Sequence, residues 1–152
     1  LTLGADVPVF VHGNTAWAEG IGERLEPLKI DQKCYLVIKP DCEVATSKIF
    51  SHKQLTRNTS PIRIAAFLSG VACTRNDCQP VAEKYYPQVG EALAGLSNHS
   101  QPYLTGTGAC IFAAFETEQA AQSVQKCIPS AWQGFVAQGR NRSPAHDDLA
   151  GY

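Results

Sequence analysis

The chain has 152 residues, 44% of them hydrophobic and 18% charged, with a formal net charge of −1. That length holds one ordinary domain, or one domain and part of another, and the composition is that of a globular protein. Near-neutral charge excludes a default attraction to nucleic acid or to an anionic membrane surface, and no apolar run approaches the ~20 residues that span a bilayer.

In chain order, Leu1-Thr2-Leu3-Gly4 reads as the last turn of a helix closed by glycine. Opening there, in a sequence without methionine, the chain is expected to lack its N-terminal part. Asp6 follows within Gly4-Ala5-Asp6-Val7-Pro8-Val9-Phe10, where apolar neighbours are expected to bury its base. A carboxylate so placed either accepts a proton from a substrate hydroxyl or caps the short helix after it.

Residues 15–19, bounded by Asn14 and Gly20, read as a strand, and Cys34–Ile38 as a buried strand stopped by Pro40. Thr46-Ser47-Lys48-Ile49-Phe50 fits a short helix, with Phe50 either stacking on a nucleobase or entering the core. Ser60-Pro61 is expected to open a helix running to about Gly70, and Pro80 another that Pro87 kinks or breaks. Beyond it Val89, Ala92, Leu93 and Leu96 recur at helical spacing.

Tyr103-Leu104-Thr105 leads through Gly106-Thr107-Gly108 into a strand at residues 109–115. The two glycines either let backbone N–H groups approach phosphate oxygens or make a tight turn; no Lys-Ser or Lys-Thr follows, so this is not a P-loop. Thr117 caps a helix with Glu118 in its first turn and Ala120, Ala121, Val124 and Cys127 on one face, and residues 134–138 form a final strand. This alternation predicts an α+β fold, an antiparallel sheet with helices on one face.

The cysteines (Cys34, Cys42, Cys73, Cys78, Cys110 and Cys127) contain no C-x-x-C pair. Cys73 and Cys78 lack a second pair to complete a zinc set, and His12, His52, His99 and His146 lack ligand spacing, so no metal site is expected. Free, mostly buried thiols in a reducing cytoplasm are the expectation. In that setting the three Asn-x-Ser/Thr triplets carry no weight.

LGADVPVF (3–10), AWAEGIGE (16–23), LTGTGACIF (104–112) and GFVAQGRNRSP (134–144) occur in an order that resembles the C-terminal half of a GHMP-superfamily kinase. The kinases meant are those acting on a cytidine diphosphate sugar alcohol in the non-mevalonate isoprenoid pathway. The resemblance covers essentially the whole chain, although residues 52–100 carry little of it. It implies that 1–29 is the tail of the catalytic N-terminal domain and 30–152 a ferredoxin-like C-terminal domain. It also implies ATP with Mg2+ as co-substrate, Asp6 as catalytic base, Ala5, Asp6, Thr46 and Phe50 as substrate-binding positions, and Gly106, Thr107 and Gly108 as a loop reaching toward the phosphates. The family's catalytic lysine and glycine-serine ATP loop are not in this sequence, so the missing N-terminal half is an expected partner and the chain alone is predicted inactive. A non-catalytic ligand-binding or regulatory module on the same scaffold is the alternative.

Overall fold

A computed structural model describes residues 4, 6–70 and 74–149, the last three without their side chains. By internal contacts the chain divides into two units, one of residues 33–138 and one of residues 1–32 with 139–152. Residues 139–152 thus group with the N-terminal segment.

The larger unit is built on four antiparallel strands in the order β4-β5-β3-β6, with β3 at Cys34–Lys39, β4 at Pro102–Leu104, β5 at Ile111–Phe115 and β6 at Gln133–Gln138. Register pairs Leu36 with Ala113 on one side and Val136 on the other. Strand alternation then sorts the side chains: Cys34, Leu36, Ile38, Ile111, Ala113 and Phe115 are buried on one face. The opposite face carries Tyr35, Tyr103 and Phe112, with Phe112 stacked on Tyr103 and edge-on to Tyr35.

The helices α2 (Thr46–Phe50), α3 (Ile64–Leu68), α4 (Gln79–Tyr85), α5 (Pro87–Ser97) and α6 (Glu118–Gln125) complete this unit. Val89, Ala92, Leu93 and Leu96 of α5 and Ala121 of α6 join the inner face of the sheet in one apolar cluster. Each large side chain sealed there contributes about 1.5–3 kcal/mol. The α+β class with helices on one face is therefore the observed architecture.

Pro87 breaks the helix rather than kinking it. Tyr86 before it takes φ −134° and ψ 81°, so α4 ends and α5 begins with the proline in its first turn. Thr117 Oγ1 accepts from the Ala120 N–H at 3.2 Å, the expected cap of α6. Of that helix's expected apolar face only Ala121 is buried; Ala120 and Cys127 are exposed. The helix expected from Ser60 starts instead at Ile64, because Pro61 holds the residue before it extended and the run stays extended through Arg63 (φ −85°, ψ 138°).

The smaller unit contains α1 (Val7–His12), the hairpin β1 (Ala16–Glu19) and β2 (Arg24–Pro27), and α7 (Pro144–Leu149). Asn141 fastens it. Its side-chain amide donates to the Ile30 carbonyl at 2.8 Å and accepts from the Ile30 N–H at 3.0 Å, while its own carbonyl accepts from Thr15 N–H at 2.9 Å. The His146 ring packs where a side chain on Gly13 would stand, which, with φ +69°, fixes glycine there.

Candidate functional site

In the larger unit the candidate residues lie on α2 and on the loop between β4 and β5. Within α2 adjacent side chains part company: Ile49 is fully buried, whereas Phe50 is 56% exposed. The core role open to Phe50 from the sequence is thereby excluded, and its ring is free to offer a π-face to a ligand. The end of the helix is held by Arg57, whose guanidinium donates to the carbonyls of Phe50 (2.6 Å), His52 (3.2 Å) and Leu55 (3.1 Å). Those carbonyls include ones a helix end leaves unpaired, so Arg57 fixes the segment carrying Phe50.

One turn earlier, Thr46 Oγ1 lies 3.0 Å from Thr107 Oγ1. This hydroxyl pair ties α2 to the glycine loop. Thr107 is nearly buried at 9% exposure, between Gly106 (φ +55°) and Gly108 (φ +99°). Both glycine conformations are ones that L side chains rarely adopt. A Cβ on Gly108 would also crowd Leu104 at 3.3 Å and Val44 at 3.4 Å, so the backbone runs close to its support. Within the loop, Gly108 N–H donates to the Thr105 carbonyl and Thr105 N–H to the Cys110 carbonyl, both at 3.0 Å. The N–H groups of Gly106 and Thr107 find no acceptor among the described residues. Thr46 and the Gly106–Gly108 loop are thus brought together, with Phe50 one turn further along the same helix: an exposed ring, a hydroxyl pair and two backbone N–H groups without an acceptor among the described residues.

Asn76 was not singled out from the sequence, yet it holds this loop. Its Nδ2 donates to the Leu104 carbonyl at 2.9 Å and to the Gly106 carbonyl at 2.7 Å, while its Oδ1 accepts from Cys78 N–H at 2.9 Å. The last bond is an Asx turn just ahead of α4, the one signal that its sequence context carries.

Asp6 belongs to the smaller unit, at the N-terminus of α1. It is exposed and makes no side-chain capping bond, so its carboxylate is not spent on the helix. The expected burial of its base is not realised: Val7, Pro8 and Val9 are only half-buried, since a six-residue helix offers too little apolar surface. Ala5 lies outside the described residues.

The thiols depart from expectation too. Among the described cysteines Cys34 is buried, Cys42, Cys78 and Cys110 are half-buried, and Cys127 is exposed. Burial pushes the Cys78 thiol up, with Asp77 adding to the effect; burial and then Asp41 do the same to Cys42, against a smaller opposing pull from Lys39. No group of three or more His, Cys, Asp or Glu among the described residues could hold a metal ion. No described helix is long and apolar enough to cross a membrane.

Sheet, helices and loop define an α+β domain whose candidate groups sit on a short helix and a glycine turn. Residues 53–134 match the family model for the C-terminal domain of GHMP kinases, and the chain belongs to that family. Curated relatives carry the name 4-diphosphocytidyl-2-C-methyl-D-erythritol kinase. The one from Alkalilimnicola ehrlichii is 51% identical over 91% of this chain and 47% of its own length. Those from Halorhodospira halophila and Marinobacter nauticus are 47% and 49% identical over 99% and 98% of this chain, each over 52% of its own length. The chain therefore spans about half the length of the curated relatives it matches. A crystal structure of 4-(cytidine 5'-diphospho)-2C-methyl-D-erythritol kinase superposes with a TM-score of 0.73 at 24% identity, covering 90% of this chain and 54% of that one, which shows the shared fold.

Proposed function

We propose that the chain is the C-terminal part of an ATP-dependent kinase that phosphorylates the 2-hydroxyl of 4-diphosphocytidyl-2-C-methyl-D-erythritol, a step of non-mevalonate isoprenoid synthesis in the cytoplasm. The observation that carries the reading is identity of 47–51% over nearly the whole chain to relatives bearing that kinase's name. On this reading residues 1–29 end the catalytic domain and 30–152 form the C-terminal domain. The N-terminal half supplies the ATP loop.

Phosphoryl transfer asks the protein mostly for positioning and for donors aimed at developing charge. Phe50, exposed and braced by Arg57, offers one wall for the cytosine ring, and Thr46 lies on the same short helix. The unpaired N–H groups of Gly106 and Thr107 are suited to phosphate oxygens. Asp6, with its carboxylate unspent on capping, takes the hydroxyl proton as the oxygen bonds to the γ-phosphorus of ATP and the bond from that phosphorus to the β,γ-bridging oxygen breaks, releasing ADP; Ala5 is the other substrate-binding position assigned to this segment. Mg2+ arrives with ATP, and no step is assigned to it through this chain's residues.

The test is turnover in the gene's full-length product. The parent phosphorylates the cytidylated substrate, Asp6→Asn lowers kcat by about 10²–10⁴, and the isolated 152 residues are silent. Undiminished turnover in Asp6→Asn removes Asp6 as base; activity of the isolated chain removes the need for a second half.

A further inference from the structure

The geometry points to Asn76 as the positioning residue of the Gly106–Gly108 loop, the side chain that makes this turn a donor-rich cradle for the transferred phosphate. The inference rests on the kinase reading above and adds to it a residue and a physical role.

A glycine turn has little to hold it in one shape, because its residues lack the side chains that would pack. It also presents carbonyl oxygens as well as N–H groups, and a carbonyl pointed at a phosphate repels it. Asn76 answers both problems. Its amide NH2 group spans the loop's entry, bonding the Leu104 carbonyl at 2.9 Å and the Gly106 carbonyl at 2.7 Å. Two acceptor oxygens are thus turned away and partly neutralised, while the N–H groups of Gly106 and Thr107 stay unpaired. The amide is itself anchored, since Oδ1 accepts from Cys78 N–H at 2.9 Å and so fixes which end of the side chain faces the loop. Both donors are needed at once, which a hydroxyl cannot supply and a carboxylate reverses. Asn76 touches neither substrate nor ATP in this scheme. It acts through the backbone.

Two variants of the full-length product test this, Asn76→Ala and the isosteric Asn76→Asp. The second keeps the shape and the acceptor for Cys78 but places a carboxylate against two carbonyls. Both are expected to lower kcat about 10–100-fold, less than the loss of a direct oxyanion donor, with KM for the sugar alcohol within about threefold. In both, hydrogen exchange at Thr105 and Gly108, whose N–H groups are the hydrogen-bonded ones of the loop, is expected to rise about tenfold or more while β3 and β5 amides keep their protection. Unchanged loop exchange overturns the proposal. So does an equal rise in β3 and β5, which would make Asn76 a general structural residue, and so does an unchanged kcat. If the parent product lacks kinase turnover, the kinase reading falls and takes the catalytic role with it. The exchange comparison still decides separately whether Asn76 shapes the loop.

Discussion

The hydroxyl pair joining Thr46 to Thr107 makes the sharpest energetic prediction, because it is the direct tie between the helix carrying Phe50 and the glycine loop. Replacing either threonine by valine keeps volume and β-branching and removes one hydroxyl. A net intramolecular hydrogen bond contributes about 0.5–1.5 kcal/mol, and a partner stranded out of water costs more. Thr107 is 9% exposed, but Thr46 is exposed and can turn to solvent once its partner is gone, which places Thr107→Val near 1 kcal/mol. In a unit of about 100 residues that corresponds to roughly 4–8 °C in Tm. The single values also contain the apolar gain of the new methyl groups, so the decisive quantity is the coupling in a T46V/T107V double-mutant cycle, where those terms cancel. Urea unfolding followed by Trp132 fluorescence reports on the larger unit, and a Trp17→Phe background removes the signal of the smaller one. A coupling of about 0.5–1.5 kcal/mol is expected. A value inside the additive scatter of about 0.3–0.5 kcal/mol would mean that the hydroxyls do not bond and that helix and loop move independently.

Adjacent positions of α2 should separate stability from binding. Ile49→Ala, at a fully buried site, is expected to cost about 2–5 kcal/mol by urea titration. Phe50→Ala should leave the urea midpoint nearly unchanged and raise KM for the cytidylated substrate about 5–150-fold, the loss of one base-stacking contact. For Cys42 and Cys78, whose thiols burial holds above the ordinary range, alkylation followed by mass spectrometry should show half-reaction at a higher pH than in the urea-unfolded chain. The sign follows from linkage: the native state disfavours the thiolate, so the stability involved is present below the unfolded thiol pKa and fades as pH rises through the folded one.

Much of the fold is legible in the sequence because its signals are local. The apolar run at Cys34–Ile38, the proline break before α5 and the Thr117 cap each depend on residues within a few positions, and the structure contains all three. What escaped lacks such a signal. The strand β2 is polar Arg-Leu-Glu-Pro, held by pairing with β1, and α3 begins only where apolar residues resume after the extended run at Arg63. Residues 139–143 carry no helix or strand signal of their own, and only the structure shows Asn141 bonding the backbone of Ile30.

The candidate site divides along the same line, and that bears on its function. Glycines at 106 and 108 announce a special backbone, and threonine and phenylalanine on a short helix announce polar and π groups. Nothing local says that Thr46 meets Thr107, or that Asn76 reaches two carbonyls some thirty residues later in the chain. These long-range bonds give otherwise generic residues a shape. A glycine loop alone is a flexible turn with as many acceptors as donors; clamped by Asn76 and tied to α2 by Thr107, it is biased toward donors and set at a fixed place relative to Phe50. On the proposed kinase reading, a ligand with a base at one end and a phosphate at the other is what this helix and loop would take together.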